Sequence, residues 1–195
     1  MEQKPLIKVV AVGPESTGKS TLCEQLAMHY NTQWCPEYAR EHLLKHGMNY
    51  TYDDLLFIAN KQLEMEDQYS SSMANGQWSI KKDHSQLTTH RLPLFIDTDM
   101  YVMKVWCEFV FGKCHKWILE QIVERKYDLY LLCNTDLPWV KDELREYPDL
   151  VTRDKLYHIY KDIMINQTTP WVEISGDSEE RLQKAINAVG QLLAG

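Results

Sequence analysis

Residues 9–22 read VVAVGPESTGKSTL. A run of small and β-branched apolar residues meets two glycines, a lysine and a hydroxyl. Gly13 to Ser20 fits G-x-x-x-x-G-K-[ST] without a gap. Glycines let the backbone turn and approach phosphate oxygens closely. Successive N–H groups form an anion nest, and the helix opening at Lys19 adds its positive end. Lys19 can reach β- and γ-phosphates, and the Ser20 hydroxyl can ligate Mg²⁺. The rival is a glycine-rich turn of no special function. It does not account for the buried strand before the loop and the helix after it. Gly13, Glu15, Ser16, Thr17, Gly18, Lys19, Ser20 and Thr21 are the candidate nucleotide contacts. The motif alone does not separate kinases from ATPase machines or GTPases.

The loop also constrains the fold, because it works only between a buried strand and a helix. Downstream, apolar segments alternate with helical ones, the pattern of a parallel sheet covered by helices. Apolar runs predict strands at 7–12, 32–35, 92–97, 127–133 and 171–174. Periodicity predicts helices at 19–30, 37–46, 52–73, 101–110, 115–125 and 154–166. A last helix follows Asp177, with Glu180 placed for a capping box. Its expected buried stripe is Leu182, Ile186, Val189 and Leu193. In the first helix Leu22, Leu26 and Met28 or Ala27 are expected to face inward. Asn75 to His90 breaks the pattern and reads as a solvated excursion. The expectation is one α/β domain over residues 1–195 with a five-stranded, mainly parallel sheet.

Three further segments carry candidate chemistry. LPLFIDTD, residues 92–99, is an apolar strand ending in acid. An acid at the carboxyl end of a strand beside the phosphate loop lies where ligands bind in such sheets. Asp97 is therefore read as a second Mg²⁺ ligand with Ser20. Asp99 reads either as a cleft residue or as a helix N-cap. In WCPEYAR, residues 34–40, Glu37 can accept a hydroxyl proton and Arg40 can stabilise phosphoryl charge. An i,i+3 surface ion pair fits the same two residues equally well. Residues 134–153 place Lys141, Arg145 and Arg153 after the fourth strand. They read as a closing lid or as a solvated loop of mixed charge.

Taken together, GPESTGKSTL, EYAR, FIDTD with the following VW and FG, and DLYLLCNTDLPWVKDELR resemble the ribosylnicotinamide kinase domain of NadR-type proteins. The resemblance runs from about Ile7 to Gln191. It implies a three-layer P-loop kinase fold with a lid segment. It implies ATP and Mg²⁺ as cofactors, and transfer of the γ-phosphate to the 5′-hydroxyl of nicotinamide riboside, giving nicotinamide mononucleotide. By this resemblance Lys19 and Ser20 serve ATP and Mg²⁺. Glu37, Arg40, Asp97 and Asp99 line the shared cleft, and Arg145 belongs to the lid. Glu37 or Asp99 positions or deprotonates the acceptor hydroxyl. Arg153 is read from its position after the fourth strand as a further nucleotide contact. The acceptor carries a pyridinium charge, which aromatic faces favour. Tyr38, Tyr101, Trp106 and Trp139 are candidates, each with core packing as its alternative. NadR proteins that carry adenylyltransferase or DNA-binding domains are longer, so neither activity is expected here.

Composition narrows the partners. The chain of 195 residues has 28 acidic and 21 basic side chains, for a net charge of −7. That weighs against a nucleic-acid partner, whose phosphates call for a basic surface. No apolar run approaches the roughly 18 residues of a membrane span. The five cysteines show no CxxC spacing and read as reduced thiols, so a cytoplasmic protein is expected. Cys107, Cys114 and His115 lack a fourth ligand and read as structural. The rivals to nicotinamide riboside phosphorylation are a kinase for another nucleoside, and a P-loop ATPase or switch with no small acceptor.

Overall fold

The computed structural model describes residues 6–75, 92–139, 143–144 and 146–194. The elements are β1 (Ile7–Val12), α1 (Lys19–Tyr30), β2 (Trp34–Cys35), α2 (Tyr38–His46), α3 (Tyr52–Ala74), β3 (Pro93–Asp97), α4 (Met100–Phe111), α5 (Lys116–Glu124), β4 (Leu129–Cys133), α6 (Leu150–Asn166), β5 (Trp171–Ile174) and α7 (Ser178–Ala194). All four strand pairings are parallel, in the order β2-β3-β1-β4-β5. The expected alternation of strands and helices is therefore present, with a wholly parallel sheet.

Strand alternation builds three layers. Val9 and Ala11 face one side and pack with Leu22, Leu26 and Ala27 of α1 and Ala185 and Val189 of α7. Val10 and Val12 face the other side, against Val102 and Val105 of α4 and Leu156, Tyr160 and Met164 of α6. Burial on both faces explains why β1 reads as a continuous apolar run. A third cluster joins α2, α3, α4 and α5 around Ile58, Met103 and Ile118.

Several boundaries and faces differ from expectation. In α1 the expected choice between Ala27 and Met28 falls to Ala27, which lies on the buried face with Leu22, Cys23 and Leu26, while Met28 is exposed. The sixth helix starts four residues early, at Leu150, because Asp149 caps it by accepting from the Thr152 N–H at 2.7 Å. In α7 Arg181, Ala185 and Val189 are the buried residues, and Leu182, Ile186 and Leu193 are half-buried. Its capping box forms as expected: Asp177 N–H donates to Glu180 and Glu180 N–H to Asp177, both at 3.0 Å. Of the polar excursion, only Asn75 lies among the described residues. Among those residues no helix is long and apolar enough to cross a membrane, and no group of three or more His, Cys, Asp or Glu side chains could hold a metal ion.

Candidate active site

The phosphate loop leaves β1, the central strand, and enters α1. Gly13 sits at φ 139°, and a Cβ there would lie 2.7 Å from the Cys133 carbonyl oxygen. Only glycine fits so close to β4. Ser16 and Gly18 both adopt positive φ, which folds the loop into its nest. The Thr17 hydroxyl and Lys19 Nζ each donate to the Pro14 carbonyl at 2.8 Å, tightening the loop from two sides.

Behind the loop lies β3. Asp97 is fully buried and accepts from the Ser20 hydroxyl through Oδ2 at 2.5 Å. Its Oδ1 is buried with no hydrogen-bond partner among the described residues. Burial and the nearby Glu37 charge push the Asp97 carboxyl up to about 6, against the opposing pull of Lys19. Thr98 then takes φ 79°, a strained conformation for a β-branched residue. That turn parts the two acids. Asp97 stays with the phosphate loop, and Asp99 becomes the N-cap of α4.

Asp99 is held from every side. Its Oδ1 accepts from the N–H groups of Tyr101 and Val102 at 3.0 and 3.2 Å. Its Oδ2 accepts from the Tyr130 hydroxyl at 2.9 Å. It does not line the cavity described below. Of its two readings the geometry realises the cap, because a short acid three residues before Val102 reaches the open amides of the helix. Burial pushes its carboxyl up to about 7.

Glu37 caps α2 by position and receives the Thr98 hydroxyl at 3.3 Å. Gln62, buried in α3, fixes this corner. It accepts from the Tyr38 N–H at 2.7 Å and donates to the carbonyls of Pro36 and Asp97 at 3.2 and 3.3 Å. In the sequence Gln62 looks like any polar residue on a long helix.

A cavity of about 420 Å³ opens between these parts. The loop from Gly13 to Thr21 forms one wall. Glu37, Arg40 and Leu43 of α2, Val102, Val105, Trp106 and Phe109 of α4, and Leu156 and Tyr160 of α6 form others. Leu144, Glu146 and Tyr147 complete it from the segment between β4 and α6. The structure thus brings the loop, Glu37, Arg40 and Trp106 around one space. Tyr38 instead packs against His42 and Phe57, with ring centroids 6.3 and 6.4 Å away. Tyr101 packs on Tyr130, and Trp139 does not line the cavity either. Arg145 and Lys141 lie outside the described residues.

Two buried arginines hold main-chain carbonyls of the loop. Arg153 donates to the Ser16 and Leu137 carbonyls at 3.2 and 3.4 Å. It thus holds the loop's main chain in the described structure. Arg181 donates to the carbonyls of Thr17, Asn134 and Gly176 at 2.9, 2.8 and 2.9 Å, and pairs with Asp136. Nothing in the sequence pattern marked Arg181, which sits on the apolar stripe of α7.

A phosphate loop on the central strand, an acid at the end of the adjacent strand and a parallel sheet in this order define a P-loop protein of the kinase fold class. The AAA domain family profile matches residues 8–181, and the chain belongs to that family. The Trifunctional NAD biosynthesis/regulator protein NadR of Escherichia coli (strain K12) is 25% identical over 202 residues, covering 98% of this chain and 44% of that protein. Its counterpart from Salmonella typhimurium (strain LT2) gives the same identity and shares. The chain thus spans less than half the length of these curated relatives. Among solved structures, NadR protein in complex with NR matches with a TM-score of 0.76 at 20% identity, over 97% of this chain and 52% of that one. Thymidylate kinase from Ehrlichia chaffeensis matches with a TM-score of 0.62 at 12% identity, over 95% and 100%. These structural likenesses are likenesses of fold.

Proposed function

We propose that this chain is an ATP-dependent kinase that phosphorylates the 5′-hydroxyl of nicotinamide riboside. The observation that carries the reading is a shared cavity: the phosphate loop, Glu37 and the α4 wall with Trp106 and Phe109 all line one space of about 420 Å³. The similarity to NadR proteins, one of them in complex with NR, favours nicotinamide riboside over other nucleosides.

The residues divide the work. The loop amides and Lys19 bind the nucleotide phosphates and offset their charge. The Ser20 hydroxyl and Asp97 fit a magnesium ion, since the two oxygens are adjacent and the buried Asp97 Oδ1 makes no hydrogen bond among the described residues. The ion, when bound, neutralises charge on the β- and γ-phosphates. Glu37 takes the proton from the acceptor hydroxyl as its oxygen bonds to the γ-phosphorus and ADP leaves. Asp99 is set aside as the base, because both of its oxygens are engaged in the α4 cap and with Tyr130. Arg40 offsets charge on the phosphoryl in flight, and Trp106 offers its face to the pyridinium ring. Arg145 keeps its assignment to the lid by sequence position. Catalysis is mainly positioning and electrostatics.

The test is transfer of label from γ-radiolabelled ATP to a panel of nucleosides. Label should appear on nicotinamide riboside. Lys19→Ala should nearly abolish transfer while the circular dichroism spectrum is kept. Transfer to another nucleoside and none to nicotinamide riboside would replace the acceptor. ATP hydrolysis that no nucleoside stimulates would favour a switch.

A further inference from the structure

The side chain of Glu15 reaches from the phosphate loop to a distant segment. It accepts from the Glu146 N–H through Oε2 at 2.9 Å and from the Tyr147 N–H through Oε1 at 2.6 Å. Both oxygens of one carboxylate thus hold two consecutive amides that are 131 and 132 residues away. Hydrogen bonds to a charged acceptor are about twice as strong as neutral ones, and the two-point geometry fixes orientation as well as distance.

The held segment belongs to the acceptor side. The Glu146 carboxylate accepts from the Tyr50 hydroxyl at 2.9 Å, and that hydroxyl accepts from Trp106 Nε1 at 2.9 Å. The Tyr147 ring meets Phe109 of α4 edge to face, with centroids 5.4 Å apart. Trp106, Phe109, Glu146 and Tyr147 all line the cavity. A continuous chain of contacts therefore runs from the phosphate loop, through Glu15 and the segment at 146–147, to the α4 wall where the acceptor is proposed to lie.

We propose that Glu15 is a positioning residue that sets the spacing between the donor loop and the acceptor wall. Phosphoryl transfer depends on such spacing, because reacting atoms must be held in near-attack geometry. Glu15 gives both carboxylate oxygens to these two amides. It acts through the main chain of Glu146 and Tyr147. The proposal rests on the kinase reading above for its kinetic consequence, and on geometry alone for its structural one.

Two variants and two readouts test it. Glu15→Ala removes both acceptors. Glu15→Gln keeps one acceptor oxygen, so it should hold one amide and fall between wild type and Glu15→Ala. In Glu15→Ala the KM for nicotinamide riboside should rise about tenfold or more, with kcat reduced. The Kd for a fluorescent ATP analogue should stay within about twofold of wild type, because the loop amides and Lys19 are untouched. Hydrogen exchange should show faster exchange at residues 146 and 147 in Glu15→Ala, with α1 unchanged. An unchanged acceptor KM overturns the proposal, as does a parallel loss of nucleotide affinity. Unchanged exchange at 146 and 147 overturns it whatever the acceptor is. If wild-type protein fails to phosphorylate nicotinamide riboside, the kinase reading falls, and the exchange experiment still decides the role of Glu15.

Discussion

Ser20 Oγ and Asp97 Oδ2 lie 2.5 Å apart, across 77 residues of sequence. The contact joins the start of α1 to the end of β3 and sets a hydroxyl beside a buried carboxylate. Parallel pairing of β1 with β3, which aligns Ala11 with Asp97, is what brings the two together.

Asp97→Asn tests this pair. An amide oxygen can still accept from Ser20, so the fold should survive. The charge that favours a divalent cation is lost. Nucleotide affinity in the absence of Mg²⁺ should be unchanged or higher, since a buried negative charge near the phosphates is removed. The gain in affinity on adding Mg²⁺ should largely vanish, and transfer should fall by about 100-fold or more. A fluorescent ATP analogue titrated with and without Mg²⁺ measures both. Equal weakening under the two conditions would contradict the role assigned to Asp97.

Asp99 gives a pH dependence of stability. Its folded-state carboxyl is raised to about 7 from 3.8, so the folded protein holds that proton more tightly than the unfolded chain. Its contribution is full below about pH 4, declines as pH rises toward 7, and is level above that. Asp97 acts with the same sign, up to about 6. Asp99→Asn keeps an oxygen for the two amides and offers its NH₂ group to the Tyr130 hydroxyl. Its melting temperature should therefore decline less steeply between pH 4 and 7 than that of wild type. An identical slope in thermal melts would show that Asp99 does not carry this proton.

These acids show what was legible in the sequence. The phosphate loop is local chemistry, so Gly13 to Thr21 could be read from spacing alone. The sheet followed from continuous apolar runs such as 7–12. Asp97 and Asp99 look alike in FIDTD, and only the left-handed turn at Thr98 gives them separate tasks. Tyr38, Tyr101, Trp106 and Trp139 are likewise indistinguishable by type. Which one faces the cavity depends on helix phase and on neighbours far along the chain. Arg181 and Gln62 act on main-chain carbonyls of distant segments, and such pairings leave no mark on hydrophobic periodicity.

Arg181→Met should lower stability more than a surface charge change. Its guanidinium serves three carbonyls and Asp136 while almost wholly buried. Asp136 is partly exposed, so water can replace that partner, and the ion pair itself is discounted. The buried Thr17 carbonyl has no such substitute. A loss of about 1.5–3 kcal/mol in chemical denaturation is expected. Nucleotide affinity should fall as well, because Thr17 belongs to the loop. Loss of stability with unaltered nucleotide affinity would confine Arg181 to a scaffold role.

Glu37 carries the proposed proton transfer, and Glu37→Gln isolates it. The side chain is half-buried, lines the cavity and receives the Thr98 hydroxyl. Glutamine preserves its length and can still accept that hydroxyl, so the α2 corner fixed by Gln62 should hold. A neutral amide cannot take a proton from the acceptor. The expected result is a fall in kcat of about 10²–10⁴-fold, with ATP-analogue affinity close to wild type. Removing the Glu37 charge also relieves the repulsion that helps raise Asp97, so Asp97 should ionise at lower pH in this variant. Asp99→Asn, assayed alongside, should retain most of the wild-type kcat, because that acid caps a helix. The reverse pattern, with Glu37→Gln active and Asp99→Asn silent, would move the base to Asp99 and require α4 to release its cap during turnover.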